Sequence, residues 1–186
     1  MTGRIHLDRA ARAIRAGGIV AYPTEAVFGL GCLPDDRDAV LRLLAIKRRP
    51  WQKGFVLIAA SFEDLAPLVE LPTDPMRSAI LATWPGPVTW ALPARRAAPR
   101  WLKGRRDTLA VRVTAHAVAR ALCARVGGPL VSTSANVSRR PPHTRLLLLR
   151  RELGALVDYV LPGPLGKASR PTAIRDGRTG QTLRAG

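Results

Sequence analysis

The stretch TLAVRVTAHAVARALCARVGGPLVSTSAN, residues 108–136, decides the fold. Thr108 to Val113 alternates, with Leu109, Val111 and Val113 on one face and Ala110 and Arg112 on the other, which is the period of a strand with a buried side. Thr114 then stands as a cap before a run of Ala, Val and Leu residues that predicts a helix ending at Gly127-Gly128. Leu130-Val131 begins a second strand, and Ser132-Thr133-Ser134-Ala135-Asn136 follows at its end. Strand, helix and strand in this order point to an α/β chain.

Working outward, the same alternation continues. Asp8 to Ala16 reads as a helix closed by Gly17-Gly18, and Ile19 to Tyr22 as a buried strand stopped by Pro23. Asp36 or Asp38 can start a helix with the apolar stripe Val40, Leu43 and Leu44; the next position of the stripe is Lys47. Pro50 ends that helix and forces Arg49 toward an extended conformation. Phe55 to Ala59 reads as a strand, Ser61 to Val69 as a surface helix, Met76 to Trp84 as a helix broken by Pro85-Gly86-Pro87, and Val88 to Leu92 as a strand. Leu146, Leu149, Leu153, Leu156 and Val160 mark one long helix, and Thr172 to Ile174 with Gln181 to Leu183 form a final hairpin across Asp176-Gly177. No repeat or low-complexity linker interrupts the 186 residues, so a single domain over 1–186 is expected.

The formal charge is +17, from 30 Lys+Arg against 13 Asp+Glu. This excess favours nucleic acid, nucleotides or other phosphorylated partners, and an arginine-rich coding bias accounts for it equally well. Cys32 and Cys123 lie in apolar surroundings without metal-ligand spacing, which predicts buried reduced thiols and no metal site. No run approaches a membrane span and the first residues lack an apolar signal core, so a cytoplasmic protein without membrane partners is expected. Gly29-Leu30-Gly31 lacks the third glycine of a dinucleotide fingerprint, and Gly166-Lys167 lacks the first glycine of a P-loop.

Certain polar residues stand out against this frame. Lys47 on an apolar stripe either snorkels to solvent at the helix end or supplies a fixed charge, and Arg49 lies beside it. Arg112 sits within an apolar strand, so a structural acid such as Glu25 or a ligand anion must meet it. Alternation turns Ser132 and Ser134 to one side, with Asn136 following if the strand persists. Tyr22-Pro23-Thr24-Glu25 brings a hydroxyl and an acid to a strand end, where open α/β sheets carry ligands. The four tryptophans suit packing, although Trp101 among Arg95, Arg96, Arg100, Lys103, Arg105 and Arg106 suits stacking on RNA.

Taken in order, Ala21 to Gly31, Lys47-Arg48-Arg49-Pro50 with Lys53-Gly54, Trp84 to Thr89, Ala110 to Val113 and Ser132 to Asn136 resemble the YrdC-like threonylcarbamoyl-AMP synthases over nearly the whole chain. The resemblance implies an α/β fold, a single-domain, twisted, largely mixed sheet flanked by helices around a basic central cavity. It also implies condensation of L-threonine, bicarbonate and ATP into L-threonylcarbamoyladenylate with release of pyrophosphate. The adenylate would pass to a downstream tRNA threonylcarbamoyl-transferase complex that forms N6-threonylcarbamoyladenosine at position 37 of tRNAs reading ANN codons.

On the same resemblance Lys47, Arg49, Ser134 and Asn136 are the catalytic and ATP-binding residues, with Arg184 also on ATP; Thr24, Arg112, Ser132 and Thr172 hold threonine and its carbamate. Mg2+ would be held by the ATP phosphates, and His6, His116 and His143 would be bystanders. The chain departs from the family pattern at Ala26, at Phe28, at Arg139 where a glycine is usual, and at Pro171-Thr172-Ala173-Ile174. Two rival readings share the fold: a non-catalytic protein binding tRNA or double-stranded RNA, and a carbamoyl-transfer domain of the hydrogenase-maturation type.

Overall fold

In the stretch Ile19–Tyr22 successive side chains enter opposite apolar layers, Ile19 and Ala21 into one and Val20 and Tyr22 into the other, so the strand is covered on both faces. The computed structural model describes residues 2–168 and 172–185, and within them this pattern extends to a nine-stranded mixed sheet. In chain order the strands are β1 (Val20–Pro23), β2 (Phe28–Gly31), β3 (Val56–Ala59), β4 (Thr89–Pro93), β5 (Thr108–Val113), β6 (Leu130–Ser134), β7 (Tyr159–Val160), β8 (Ile174–Asp176) and β9 (Thr182–Arg184). Their spatial order is β7-β1-β2-β6-β3-β5-β4-β8-β9.

Two helices cover one face. α1 (Arg4–Arg15) contributes Leu7, Ala10, Ala11 and Ile14, and α5 (Ala117–Val126) contributes Val118, Ala119, Leu122 and Cys123. The other face receives α2 (Arg37–Lys47), α3 (Met76–Leu81), α4 (Arg100–Lys103) and α6 (Leu146–Leu153), through residues such as Leu43, Ile80, Leu102 and Leu149. Cys32 and Cys123 are both buried free thiols.

Strand register determines what the α1/α5 face carries beyond those helices. Tyr22 pairs with Gly29, Gly29 with Ser134, Ser132 with Val56, Val56 with Ala110 and Ile58 with Arg112. Directly paired residues share a face, so Tyr22, Gly29, Ser132, Ser134, Val56 and Arg112 all lie on it. α1 and α5 share an apolar layer with Val20, Ile58 and Leu130, whereas Gly29, Val56, Arg112, Ser132 and Ser134 line a cavity of about 320 Å³.

Several elements differ from the sequence expectation for identifiable reasons. Ser61 to Val69 forms successive turns and no regular helix, because Pro67 lacks an N–H and disfavours the helical conformation at Ala66. α1 starts at Arg4, ahead of Asp8, with Gly3 as its cap and no side-chain capping bond. α2 ends at Lys47, where Arg48 turns left-handed at φ 47° before Pro50 is reached. His116, not Thr114, caps α5: its Nδ1 accepts from the Ala119 N–H, while the Thr114 hydroxyl accepts from the His116 N–H. The stripe from Leu146 to Val160 divides into α6, a 3-10 turn at Gly154–Leu156 and β7. α3 keeps its expected start but stops at Leu81.

Close approach of strands leaves no room at Gly31. A Cβ there would lie 2.5 Å from the Val131 carbonyl oxygen and 2.9 Å from Tyr22 Cε1, whereas one at Gly128 would meet nothing within 4 Å. Gly31→Ala is therefore expected to destabilise the protein by about 1–3 kcal/mol, an overpacking cost, and Gly128→Ala to leave thermal unfolding nearly unchanged. Equal melting temperatures for the two variants would contradict this packing.

Candidate active site

The 320 Å³ cavity is lined by Thr24, Arg49, Arg112, Ser132, Ser134, Thr172 and Arg184 among the expected site residues. Beside it lies a second cavity of about 680 Å³, lined by Lys47, Arg49, Ser134 and Asn136. Arg49, Thr133 and Ser134 belong to both, so the cavities adjoin there, and all nine expected residues line one or the other.

Beneath the first cavity runs a buried polar network. Tyr22, fully buried, donates its hydroxyl to Ser132 Oγ at 2.9 Å, and burial raises its pKa well above the ordinary tyrosine value. Arg112 Nη1 lies 3.0 Å from Glu25 Oε2, with side chains 5% and 13% exposed. The contact is an ion pair without hydrogen-bond alignment, for Arg112 Nε and Nη1 are both buried without a hydrogen-bond partner. Of the two possibilities left by the sequence, an internal acid or a ligand anion, the structure supplies the acid; it also leaves two donor nitrogens of the guanidinium seeking a directional acceptor. The other Glu25 oxygen accepts from the Thr114 hydroxyl at 2.8 Å. Thr24 Oγ1 donates to the Val27 carbonyl at 2.6 Å, closing its own turn, and Thr172 Oγ1 lies 3.2 Å from Thr89 Oγ1.

Lys47 neither snorkels nor stands free. It is 2% exposed, and its ammonium donates to the Ser134 carbonyl, to the Asn136 carbonyl at 2.9 Å and to Asn136 Oδ1 at 3.3 Å. These acceptors use all three N–H groups of a lysine. Burial, then repulsion from Arg49, pulls its pKa down to about 8. Asn136 is held further by Ser134 Oγ, which donates to Oδ1 at 2.6 Å, and by its own Nδ2, which donates to the Arg140 carbonyl.

Arg49 has the opposite character. One terminal N–H donates to the Gly54 carbonyl at 2.9 Å, the guanidinium lies 5.8 Å from the Phe55 ring centre, and Nε is buried without a partner. Burial lowers its pKa, followed by repulsion from Arg106 and Arg184. No ion pair among the described residues includes Arg49, Lys47 or Arg184. Six basic side chains, Lys47, Arg48, Arg49, Lys53, Arg139 and Arg140, line the larger cavity with no acid among them. Such a wall has the electrostatics of a polyphosphate site. Arg184, which also lines the smaller cavity, donates to the Thr172 carbonyl at 3.0 Å.

Sequence reasoning missed part of this wall. Nothing local marks Arg140, and Lys53, quoted with Gly54 in the motif above, is given no role there, whereas Arg139 carries a signal: it replaces a usual glycine and has φ 71°, the left-handed region that glycine favours. Tyr22 could have been found from its parity with Val20 on β1. Of the histidines, His116 caps α5 and His143 pairs with Glu152 at 3.4 Å. The Trp101 indole N–H donates to the Pro34 carbonyl at 3.0 Å and its ring packs on the core, so it is not presented for base stacking. Arg95 donates to the Ala66 and Val69 carbonyls. Pro171 lies outside the described residues.

The Sua5/YciO/YrdC family model, described as telomere recombination, matches residues 12–186. The threonylcarbamoyl-AMP synthase of Nitrosococcus oceani is 57% identical over 175 residues, 94% of this chain and 95% of its own. The threonylcarbamoyl-AMP synthase of Halorhodospira halophila is 57% identical over 184 residues, 98% of this chain and 96% of its own. The structure of P. abyssi Sua5 complexed with L-threonine superposes with a TM-score of 0.85 at 32% identity over 91% of this chain; this chain spans about half, 50%, of that one. A match that runs through both cavities and every expected site residue settles the relationship: the chain belongs to the Sua5/YciO/YrdC family.

Proposed function

We propose that this protein is an L-threonylcarbamoyladenylate synthase, which condenses L-threonine, bicarbonate and ATP and releases pyrophosphate. The observation that carries the reading is the junction at Arg49 and Ser134 between an acid-free basic cavity and a smaller one holding a buried arginine with unused N–H groups. Near-full-length relatives named threonylcarbamoyl-AMP synthase support it.

In this reading the triphosphate occupies the larger cavity. Arg49, with Nε free, bonds its oxygens directly, and Arg184 adds charge from the smaller cavity. Lys47 has no N–H to spare: it holds Ser134 and Asn136 in place and contributes its charge through space. Threonine lies in the smaller cavity with its carboxylate on Arg112, near Thr24, Ser132 and Thr172. Its amine takes the bicarbonate carbon, giving carbamate and water; a carbamate oxygen then attacks the α-phosphorus and pyrophosphate leaves. The protein's contribution is alignment of three reactants and stabilisation of phosphate charge.

Mg2+ would accompany ATP and be held by its phosphates and water, supplying further charge against the phosphate oxygens. Among the described residues no three His, Cys, Asp or Glu cluster to hold a metal, and Glu25 is the only carboxylate lining either cavity. No helix among the described residues is long and apolar enough to cross a membrane. We place the enzyme in the cytoplasm, delivering its adenylate to a tRNA threonylcarbamoyl-transferase complex.

Pyrophosphate release is expected only when threonine and bicarbonate are both present with ATP. Equal release from ATP alone would reduce the protein to a phosphohydrolase and sink the synthase reading.

The contrast between Arg49 and Lys47 gives a second expectation. Arg49→Ala should weaken ATP binding by about one to two decades, the worth of a charge-assisted hydrogen bond of roughly 1.5–3 kcal/mol, with little change in melting temperature. Lys47→Met should lower both activity and melting temperature, because the Asn136 carbonyl loses its donor at about 1–3 kcal/mol, while the Ser134 carbonyl and Asn136 Oδ1 each lose one of two donors. Unchanged unfolding of Lys47→Met, measured by circular dichroism, would show that the ammonium does not fasten Ser134 and Asn136.

A further inference from the structure

Together the two cavities are lined by eight basic side chains and one acid, Glu25. In a site suited to phosphate and carboxylate, an added negative charge weakens every anion contact near it. Yet Glu25 is held firmly. Its backbone carbonyl accepts from the Ala168 N–H at 3.1 Å, and Gly166 packs so closely that a Cβ there would lie 2.8 Å from Glu25 Cα. One carboxylate oxygen accepts from Thr114, whose hydroxyl already accepts from the His116 N–H and so directs its own proton at Glu25. The other faces Arg112 at 3.0 Å. Carboxylate oxygens accept more than one bond each, so both retain capacity toward the cavity.

An α-amino acid carries its ammonium on the carbon next to its carboxylate. Such a zwitterion matches the Arg112–Glu25 pair in reverse: the substrate carboxylate meets the unused Nε and Nη1 of Arg112, and its ammonium meets Glu25. One buried ion pair becomes two, and no charge is left uncompensated. We infer that Glu25 binds the ammonium of the amino-acid substrate and is the base that accepts its proton.

The step balances. The ammonium gives one proton to the Glu25 carboxylate, leaving a neutral amine and a carboxylic acid. The nitrogen lone pair then forms the bond to the bicarbonate carbon; the C–OH bond breaks, and the departing hydroxide takes a second nitrogen proton to become water. Glu25 returns its proton to solvent before the next turnover. This assignment rests on the synthase reading above, and it makes Glu25 a catalytic residue with a role separable from adenylyl transfer.

The separation supplies the test. Glu25→Gln keeps the size and a carbonyl oxygen for Thr114 but removes the base. Two rates are measured on one preparation: pyrophosphate release from ATP, threonine and bicarbonate, and ATP formation from threonylcarbamoyl-AMP and pyrophosphate, a reverse adenylyl transfer in which no ammonium loses a proton. The forward rate is expected to fall about a hundredfold more than the reverse, within the usual range for loss of a general base. Glu25→Asp, which keeps the charge but retracts it, should recover part of the forward rate. A forward rate like that of the wild type in Glu25→Gln overturns the inference. So does an equal fall in both directions, which reduces Glu25 to a counter-ion holding Arg112. Wild-type protein inactive in both directions would instead remove the synthase reading, and the inference with it.

Discussion

One buried ammonium fixes the geometry on which the site depends. Lys47 lies where the last turn of α2 meets the end of β6, and it exchanges hydration for three oxygen acceptors from Ser134 and Asn136. Burying an ammonium without partners is too costly to persist. With them, the cost becomes a positional constraint, because the charge is tolerated only while Ser134 and Asn136 stay at hydrogen-bond distance. The Ser138 N–H donates back to the Lys47 carbonyl at 2.9 Å, so the loop beyond β6 is tied to the helix twice. Ser134 belongs to the wall shared by both cavities, and this tie sets where that wall stands.

A second constraint acts across the sheet. Arg112 on β5 and Glu25 beyond β1 belong to strands separated in space by β2, β6 and β3. Their ion pair bridges that distance on the face that α1 and α5 leave open. Arg49, unlike Arg112, has no acid paired with it among the described residues. Its environment raises the energy of the unliganded site, so an anion there relieves repulsion as well as forming bonds.

Much of this was legible in the sequence because strand alternation is a local property. β5 was expected at its observed bounds, and parity alone put Ser132 and Ser134 on one side. Lys47 announced itself as a break in an apolar stripe, although its partners could not be named: they lie 87 and 89 residues away. The pairing of Arg112 was narrowed to Glu25 or a ligand, and only register and three-dimensional proximity decide between such options. Arg140 escaped notice and Lys53 went without a role, because neither differs in local pattern from the many other arginines and lysines of the chain. The turns from Ser61 to Val69 show the converse, a helical apolar spacing defeated by one proline.

The outer edge of the sheet has a consequence for how the empty protein fluctuates. β9 is three residues long, exposed throughout, and paired only with β8, itself three residues long and irregular in register. Short edge strands open at lower free energy than the strands inside a sheet, and β9 carries Arg184, one of the cations of the smaller cavity. Part of the site's charge is thus mounted on its least secured strand. An anion that engages Arg184 must hold β9 against the sheet, and by thermodynamic reciprocity whatever frays β9 loosens that anion. Amide exchange along 182–184 therefore reports on occupancy of the smaller cavity.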